Sequence, residues 1–589
     1  MGKLLKYLKK YRVVAIMAPL FKMLEASFEL FVPLVMANII DKGIKDQDVP
    51  YILKMGGLLV LLGLVGLACS LTAQYFAAKA AVGFGTSLRK ELFDHINHFS
   101  YTEIDTEGTA TLITRMTSDV NQVQSGVNLT LRLFLRSPFI VFGAMIMAFT
   151  IDFKSALIFA VTIPLLSAVV FGIMIVSMPL YKKVQKQLDD VLSSTRENLT
   201  GVRVVRAFNR QQDELEAFDG KSGKLFHFQV FVGRISALLN PVTYVIINLA
   251  VVVLIYTGGK QVDSGAISQG QVVALVNYMS QILVELIKLA NLIITVTKAL
   301  ACAGRVSSVL ETKSSMTEKP EAERRRKGLA GEELAGEKLF SGETTKVIFS
   351  HVNFAYKGAK EETLTDITFS AAKGETIGII GGTGSGKSTV VNLIPRFYDV
   401  TGGSVLIDGT DVREYGLKEL REKIGVVPQR TVLFRGTIRE NMKWGRKDAT
   451  DEEIDKALET AQAGDVVEQK EGELDAFIQQ GGNNLSGGQR QRLTIARALV
   501  KKPEILILDD SASALDFATD ARLRRALKEQ PEQMTEFIVS QRATTIRHAD
   551  KILVLDDGKA VGLGKHAELF ETCRVYREIC LSQLSKEEV

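Results

Sequence analysis

Residues 375–394 read ETIGIIGGTGSGKSTVVNLI, and the fold of the second half of the chain is decided there. ETIGII is a short apolar run of strand type, and TVVNLI has the pattern of a helix start. Between them Gly381, Gly382, Thr383, Gly384, Ser385, Gly386, Lys387 and Ser388 spell GxxxxGK[ST] in the strand–loop–helix setting that this phosphate-cradling motif requires. Glycines let backbone amides wrap a β-phosphate, and the helix N-terminus opening at Ser388 and Thr389 adds a favourable dipole. Lys387 is placed to reach the β- and γ-phosphates and the Ser388 hydroxyl to ligate Mg2+, so a nucleoside triphosphate with Mg2+ is the expected ligand.

Downstream, the buried-strand run EILIL (504–508) ends in Asp509 and Asp510. A carboxylate at the end of an apolar strand beyond a phosphate loop is a metal-side arrangement. Between the two lie Leu485, Ser486, Gly487, Gly488 and Gln489, followed by the basic helix start RQRLTIARAL. Small residues at a helix N-terminus make a second phosphate-binding surface.

Upstream the composition changes. The 589 residues carry a net charge of +5, which divides into +9 over residues 1–310 and −4 over 311–589. With 46% apolar residues a disordered chain is excluded. Four cysteines (Cys69, Cys302, Cys573, Cys580) without ligand spacing exclude a disulfide scaffold and a zinc site. Uncharged runs of 24, 27 and 25 residues lie between Lys54 and Lys79, Lys154 and Lys182, and Arg234 and Lys260. Each is long enough to span a bilayer core, which takes about 20 residues in helix. Val13–Ile40, the stretch from about Arg132 to Ile151, and Ser264–Thr297 complete an expected six spans. The first is too long for a cleaved signal peptide and shows no cleavage pattern. Twenty basic residues fall in the segments assigned inside and four (Lys42, Lys45, Lys154, Lys260) in those assigned outside. Both termini and the nucleotide-using half are therefore expected in the cytoplasm. The two inside loops of about fifty residues are polar and helical in pattern, so the membrane helices are expected to continue into the cytosol. Residues 311–345 turn charged, and Glu323-Arg324-Arg325-Arg326-Lys327 within them reads as solvated linker rather than a nucleic-acid patch.

Charges also sit inside the spans. Lys22, Glu25 and Glu29 share one helix face. Asn277, Gln281, Glu285, Lys288 and Asn291 fall on one stripe of the sixth. Two readings stand: Lys22–Glu25 and Glu285–Lys288 neutralise each other as i, i+3 pairs, or Glu25, Glu29, Asn277, Gln281, Glu285 and Lys288 line a polar substrate pathway.

Phosphate loop, LSGGQ, and apolar strand with Asp, in that order after six spans, resemble an ATP-binding cassette (ABC) exporter half-transporter over nearly the whole chain. The resemblance implies an all-α six-helix transmembrane domain (1–310), a linker (311–345) and an α/β P-loop nucleotide-binding domain (346–589), in the plasma (inner) membrane. It implies that Tyr356 stacks on adenine and that Gln429 joins Ser388 and Asp509 at Mg2+. Leu485–Gln489 and Asp516, in the Ser513–Asp516 loop, would act in trans on nucleotide held by a second half-transporter subunit. GTATLITRMTSDV (108–120) and RENLTGVRVVRAFNRQQDELEAF (196–218) resemble the two cytoplasmic loops whose tips dock onto nucleotide domains.

Two positions depart from the pattern. The catalytic glutamate is replaced by Asp510 and the switch histidine by Gln541, while His548 belongs to the following RHAD. Asp is one methylene too short to hold an attacking water well, and a misplacement of about 1 Å costs on the order of 100-fold. Gln541 has an amide but no ring that can carry a proton. A weak own site beside an intact LSGGQ implies one half of a heterodimeric exporter of amphipathic, drug-like molecules. An importer of siderophore-like ligands in the same fold, a lipid or peptide exporter, and an ATP-gated channel are the alternatives. A soluble ATPase acting on nucleic acid is excluded by the spans.

Overall fold

The computed structural model describes residues 3–316, 345–530 and 533–583. Most of the expected linker, 317–344, lies outside the described residues. The chain divides into two compact units, Met1–Asn97 with Thr109–Thr312, and His98–Gly108 with Lys313–Val589.

The first unit is helical. Among the described residues six segments are long and apolar enough to cross a membrane: Leu4–Ile44, Val49–Asn97, Thr109–Ile151, Phe153–Thr200, Gln211–Asp263 and Gln269–Glu311. The helices Val49–Asn97 and Phe153–Thr200 hold 49 and 48 residues. At about 1.5 Å per residue each exceeds twice a hydrocarbon core of about 30 Å, so their polar ends run on beyond the span, as the loop patterning predicts. The third helical path is likewise longer than the expected crossing stretch of about Arg132 to Ile151: it begins at Thr109 and breaks only between Val120–Leu133 and Arg136–Ile151. Asp152 caps the fourth helix by accepting from the Ser155 amide at 2.7 Å, and Ser268 and Gln271 form a capping box at the start of the sixth. Tyr278, Met279, Ile282, Phe159, Leu166 and Leu254 are fully buried, and the Tyr278 hydroxyl donates to the Leu30 carbonyl at 2.5 Å. Small residues allow close crossings. A Cβ on Gly270 would meet the Ala37 carbonyl at 2.3 Å, and one on Gly126 the Ala299 Cβ at the same distance.

The second unit is α/β. Its main sheet orders six strands as Lys559–Gly564, Lys551–Asp556, Thr376–Gly381, Thr535–Val539, Ile505–Asp509 and Ile424–Val427, all parallel except the first. Thr376–Gly381, Ile505–Asp509 and Thr535–Val539 are buried at every position, which is why IGII and ILIL read as unbroken apolar runs, while Thr535–Val539 buries Thr535 and Glu536 as well. A four-stranded antiparallel sheet orders Leu364–Ala372, Thr345–Phe354, Gly402–Ile407 and Thr410–Asp411. The helix Tyr101–Glu107 belongs to this unit, so the loop segment that groups with the nucleotide half is 98–108 rather than 108–120. Tyr101 lies 4.6 Å from Phe397 between ring centroids, and the Tyr398 hydroxyl donates to Asp105 at 2.6 Å.

Candidate functional site

Parallel strands present their carboxyl ends on one edge, and ligands of open α/β sheets bind outside that edge. Three adjacent strands deliver the site there, with Asp509 level with Val539 and Val539 level with Ile379. The strand Thr376–Gly381 runs into the phosphate loop. Gly384 and Gly386 have φ of +85° and +92°, a conformation that glycine adopts without strain, and Gly386 leads into the helix Lys387–Leu393. At Gly381 a Cβ would meet the Leu555 carbonyl at 2.1 Å.

The Lys387 ammonium donates to the carbonyls of Gly381 (2.9 Å) and Gly382 (2.6 Å). Burial lowers its pKa, against the pull of Asp510 and Asp509. Ser388 Oγ donates to Asp509 Oδ1 at 2.9 Å. Burial raises the Asp509 carboxyl, with the Ser388 bond opposing it and Asp510 adding to it. Asp510 is also raised by burial. It sits at φ +47°, a left-handed conformation that Asp tolerates, with Gln429 Nε2 3.4 Å from its Oδ2. The Tyr356 and Thr389 hydroxyls lie 3.1 Å apart.

These groups converge on one cavity of about 320 Å3, lined by Tyr356, Thr383, Lys387, Ser388, Gln429, Asp509, Asp510 and Gln541 among others. Thr363 and Val539 line it too. Sequence reasoning missed both, because neither carries a motif: Val539 arrives by the strand register and Thr363 by its place just ahead of the strand Leu364–Ala372. The donor set fits Mg-ATP. Hydroxyl, carboxylate and amide oxygens are the hard ligands Mg2+ takes, and Lys387 with the loop amides supplies the countercharge for phosphates. Ser388, Asp509 and Gln429 would hold the cation, and it would neutralise phosphate charge when bound.

Leu485–Gln489 does not line this cavity. Ser486 caps the helix Gly487–Val500: its Oγ accepts from the Gln489 amide at 3.2 Å, and Gln489 Oε1 accepts from the Ser486 amide at 3.0 Å. The box satisfies two end groups and leaves the helix's first amides, at Gly487 and Gly488, without side chains in front of them. Asp516 caps the helix Phe517–Lys528, accepting from the Thr519 amide at 2.8 Å and its hydroxyl at 2.9 Å, and these bonds hold its carboxyl below the usual range.

The family models for the ABC transporter transmembrane region and for the ABC transporter ATPase match residues 15–286 and 364–513. The chain is 35% identical to "Uncharacterized ABC transporter ATP-binding protein YfiB" of Bacillus subtilis, covering all of this chain and 99% of that one. The chain belongs to the ABC transporter family. It is an exporter half-transporter, one six-helix membrane domain and one ATPase domain coupled to transport, and such halves work as dimers. It is also 31% identical to "Putative multidrug export ATP-binding/permease protein YgaD" of B. subtilis, over 98% of both chains. A solved bacterial Atm1-family ABC exporter with ATP bound has the same fold, with a TM-score of 0.78 at 23% identity, over 98% of this chain and all of that one.

In the transporter's membrane unit, both i, i+3 pairs are present. Lys22 Nζ lies 2.5 Å from Glu25 and also donates to Ser70 Oγ at 3.0 Å, and Lys288 lies 2.8 Å from Glu285. What ties them together is Arg136, which donates to Glu285 (2.5 Å) and Glu29 (2.7 Å) and lies 3.9 Å from Glu25. Ser137 Oγ adds a bond of 2.8 Å to Glu285. Three cations thus meet three carboxylates across the first, third and sixth spans. Sequence reasoning missed Arg136 because its partners are 107 and 149 positions away. Its signal was an arginine at the head of an uncharged run. Beside this network a cavity of about 530 Å3 is lined by Glu29, Asn277, Gln281, Glu285 and Lys288. Glu25 does not line it. Glu285 and Arg136 are almost fully buried, whereas Glu29 and Lys288 keep about 40% of their side chains exposed (40% and 41%).

Proposed function

We propose that this half-transporter is the weak-site subunit of a heterodimeric exporter of amphipathic, drug-like molecules in the plasma membrane, with its ATPase domain and both termini in the cytoplasm. The observation that carries the reading is that Asp510 and Gln541 both line the cavity that holds Lys387, Ser388 and Asp509. Two residues in one cavity lack the reach and the proton chemistry that fast hydrolysis needs. The short Asp510 side chain leaves an attacking water poorly held, and Gln541 offers a neutral amide where a ring would respond to γ-phosphate charge.

In this reading Tyr356 takes the adenine, the 381–388 loop holds the phosphates, and ATP stays bound here for long periods. Ser486, Gly487 and Gly488 serve the partner's nucleotide, with Leu485, Gln489 and Asp516 shaping that surface. Support comes from their absence from this chain's own cavity together with an intact capping box. The polar cavity lined by Glu29, Asn277, Gln281, Glu285 and Lys288 is the proposed substrate pathway, and Glu25 belongs to the charge network behind it. The similarity to "Putative multidrug export ATP-binding/permease protein YgaD" favours drug-like cargo. Orientation rests on the basic bias of the inner segments.

The test is ATP-dependent dye uptake into inverted vesicles. Uptake is expected with this chain and its partner together, and not with this chain alone. Full uptake by this chain alone would refute the obligate partnership.

A further inference from the structure

The first eight described helical residues, Leu4–Tyr11, form a 3-10 helix, and the flanking Lys3 (φ −63°, ψ −31°) and Arg12 (φ −55°, ψ −42°) keep helical dihedrals. A 3-10 helix has three residues per turn, so side chains three apart eclipse one another. The sequence KLLKYLKKYR therefore stacks Lys3, Lys6 and Lys9 in one row, and Arg12 follows beyond Tyr11, whose dihedrals (φ −110°, ψ 17°) leave the helical range. At about 2 Å per residue the three lysines stand roughly 6 Å apart along roughly 12 Å. The same period places Leu4, Tyr7 and Lys10 on a second face and Leu5 and Leu8 on a third.

The helix is docked rather than free. Leu4 is buried, and the Tyr11 ring packs so closely on the second span that a Cβ on Gly83 would meet it at 2.3 Å. Lys3, Lys6, Lys9 and Arg12 are all exposed. Lys3 is bonded to Glu311 at 3.0 Å. Lys6 lies over the Tyr7 ring, 4.7 Å from its centroid, and within the field of Glu91, whereas Lys9 and Arg12 have no ion-pair partner among the described residues. No acidic residue occurs before Glu25. Immediately beyond the row, the first span exposes Val13, Ile16 and Leu20 on a surface of apolar side chains. A row of unneutralised cations at the rim of an apolar, membrane-length helix is the arrangement that meets lipid headgroups.

We propose that Lys6 and Lys9, with Arg12 just beyond them, form a docking surface for anionic lipid headgroups of the adjoining leaflet. The spacing of Lys6 and Lys9 lets neighbouring phosphates share cations, and the exposed Leu5 enters the boundary of the acyl region beside them. Lys10 lies off the row and contributes less.

The experiment uses the full-length transporter in vesicles, with Leu5→Trp as a reporter in a Trp444→Phe background. Quenching by brominated phosphatidylglycerol is compared with quenching by brominated phosphatidylcholine. The anionic lipid is expected to bind preferentially, and the preference to weaken with salt. Each cation removed from the row should lower the relative binding constant by up to about fivefold. Lys6→Gln with Lys9→Gln and Arg12→Gln should abolish the preference, Lys6→Arg with Lys9→Arg should keep it, and Lys10→Gln should change it least. Equal quenching by the two lipids in the reporter protein, or a preference that survives the triple variant, would overturn the proposal. So would Lys10→Gln losing as much as Lys6→Gln.

Discussion

Removing the carboxylate at position 510 and disrupting the cap at 486 should have very unequal effects in the assembled dimer. Asp510 directly follows the strand Ile505–Asp509 beside this chain's own phosphate loop, and Gln429 Nε2 lies 3.4 Å from its carboxylate. In the proposed asymmetric dimer the site it serves is slowed by a side chain about 1.5 Å shorter than glutamate's. A misplacement of about 1 Å is worth on the order of 100-fold, so on this proposal nearly all turnover comes from the other site. Asp510→Ala should therefore reduce total ATPase less than about twofold, since at most one of two sites is affected and that one runs at about 1%. Ser486→Arg acts on the other site. It removes the hydroxyl that accepts from the Gln489 amide at 3.2 Å, a cap worth about 1 kcal/mol. It also sets a bulky side chain before the amides that hold the partner's γ-phosphate. Losing one such preorganised donor set costs on the order of 100-fold or more. Phosphate release by the purified dimer at saturating Mg-ATP reads both. If Asp510→Ala stops turnover as completely as Ser486→Arg, the site is a working catalyst and the asymmetry is wrong.

Lys387→Ala deletes the ammonium that bridges the Gly381 and Gly382 carbonyls, and photolabelling of this chain by an azido-ATP should be lost; unchanged labelling would refute the phosphate-loop assignment. Burial pushes Glu536 up to about 7 from 4.5. Its folded state holds the proton more tightly than the unfolded one, so the stability it contributes is full below pH 4.5 and is lost as pH rises through 7. The linked change is at most about 3 kcal/mol. Melting temperatures at pH 6 and pH 8 should therefore differ less in Glu536→Gln than in the unmodified chain. An equal difference would place the titration elsewhere. Arg136→Ala removes the buried cation that Glu285 and Glu29 share, leaving Glu285 only Lys288 and Ser137, and should destabilise the fold by about 3 kcal/mol, read as lost yield of monodisperse protein; a normal yield would mean the network carries no structural load.

Legibility followed the range of the interactions. The nucleotide half was readable because its chemistry is local. Gly381–Ser388 sits between its own strand and helix, and Asp509 ends its own strand, so short stretches carried the pattern. The six spans were readable because a bilayer demands runs that few soluble helices contain. What was not legible is non-local. The polar helix ahead of the third span, from Thr109, carries Arg115, Asp119, Arg132 and Arg136, and two of these are satisfied by other spans: Arg305 bonds Asp119, and Glu285 and Glu29 bond Arg136. The stripe on the sixth span was visible as a periodicity. Which of its members are buried in ion pairs and which face a cavity depended on Arg136, more than a hundred residues away.

The central claim, that this chain holds ATP without turning it over, is tested most directly by the fate of the γ-phosphate. The dimer is allowed to turn over azido-ATP labelled at either the α- or the γ-phosphate and is then photolysed and separated into its chains. The account predicts that this chain retains the γ-label nearly as well as the α-label, while the partner retains the α-label alone. Loss of the γ-label from this chain at the partner's rate would contradict it.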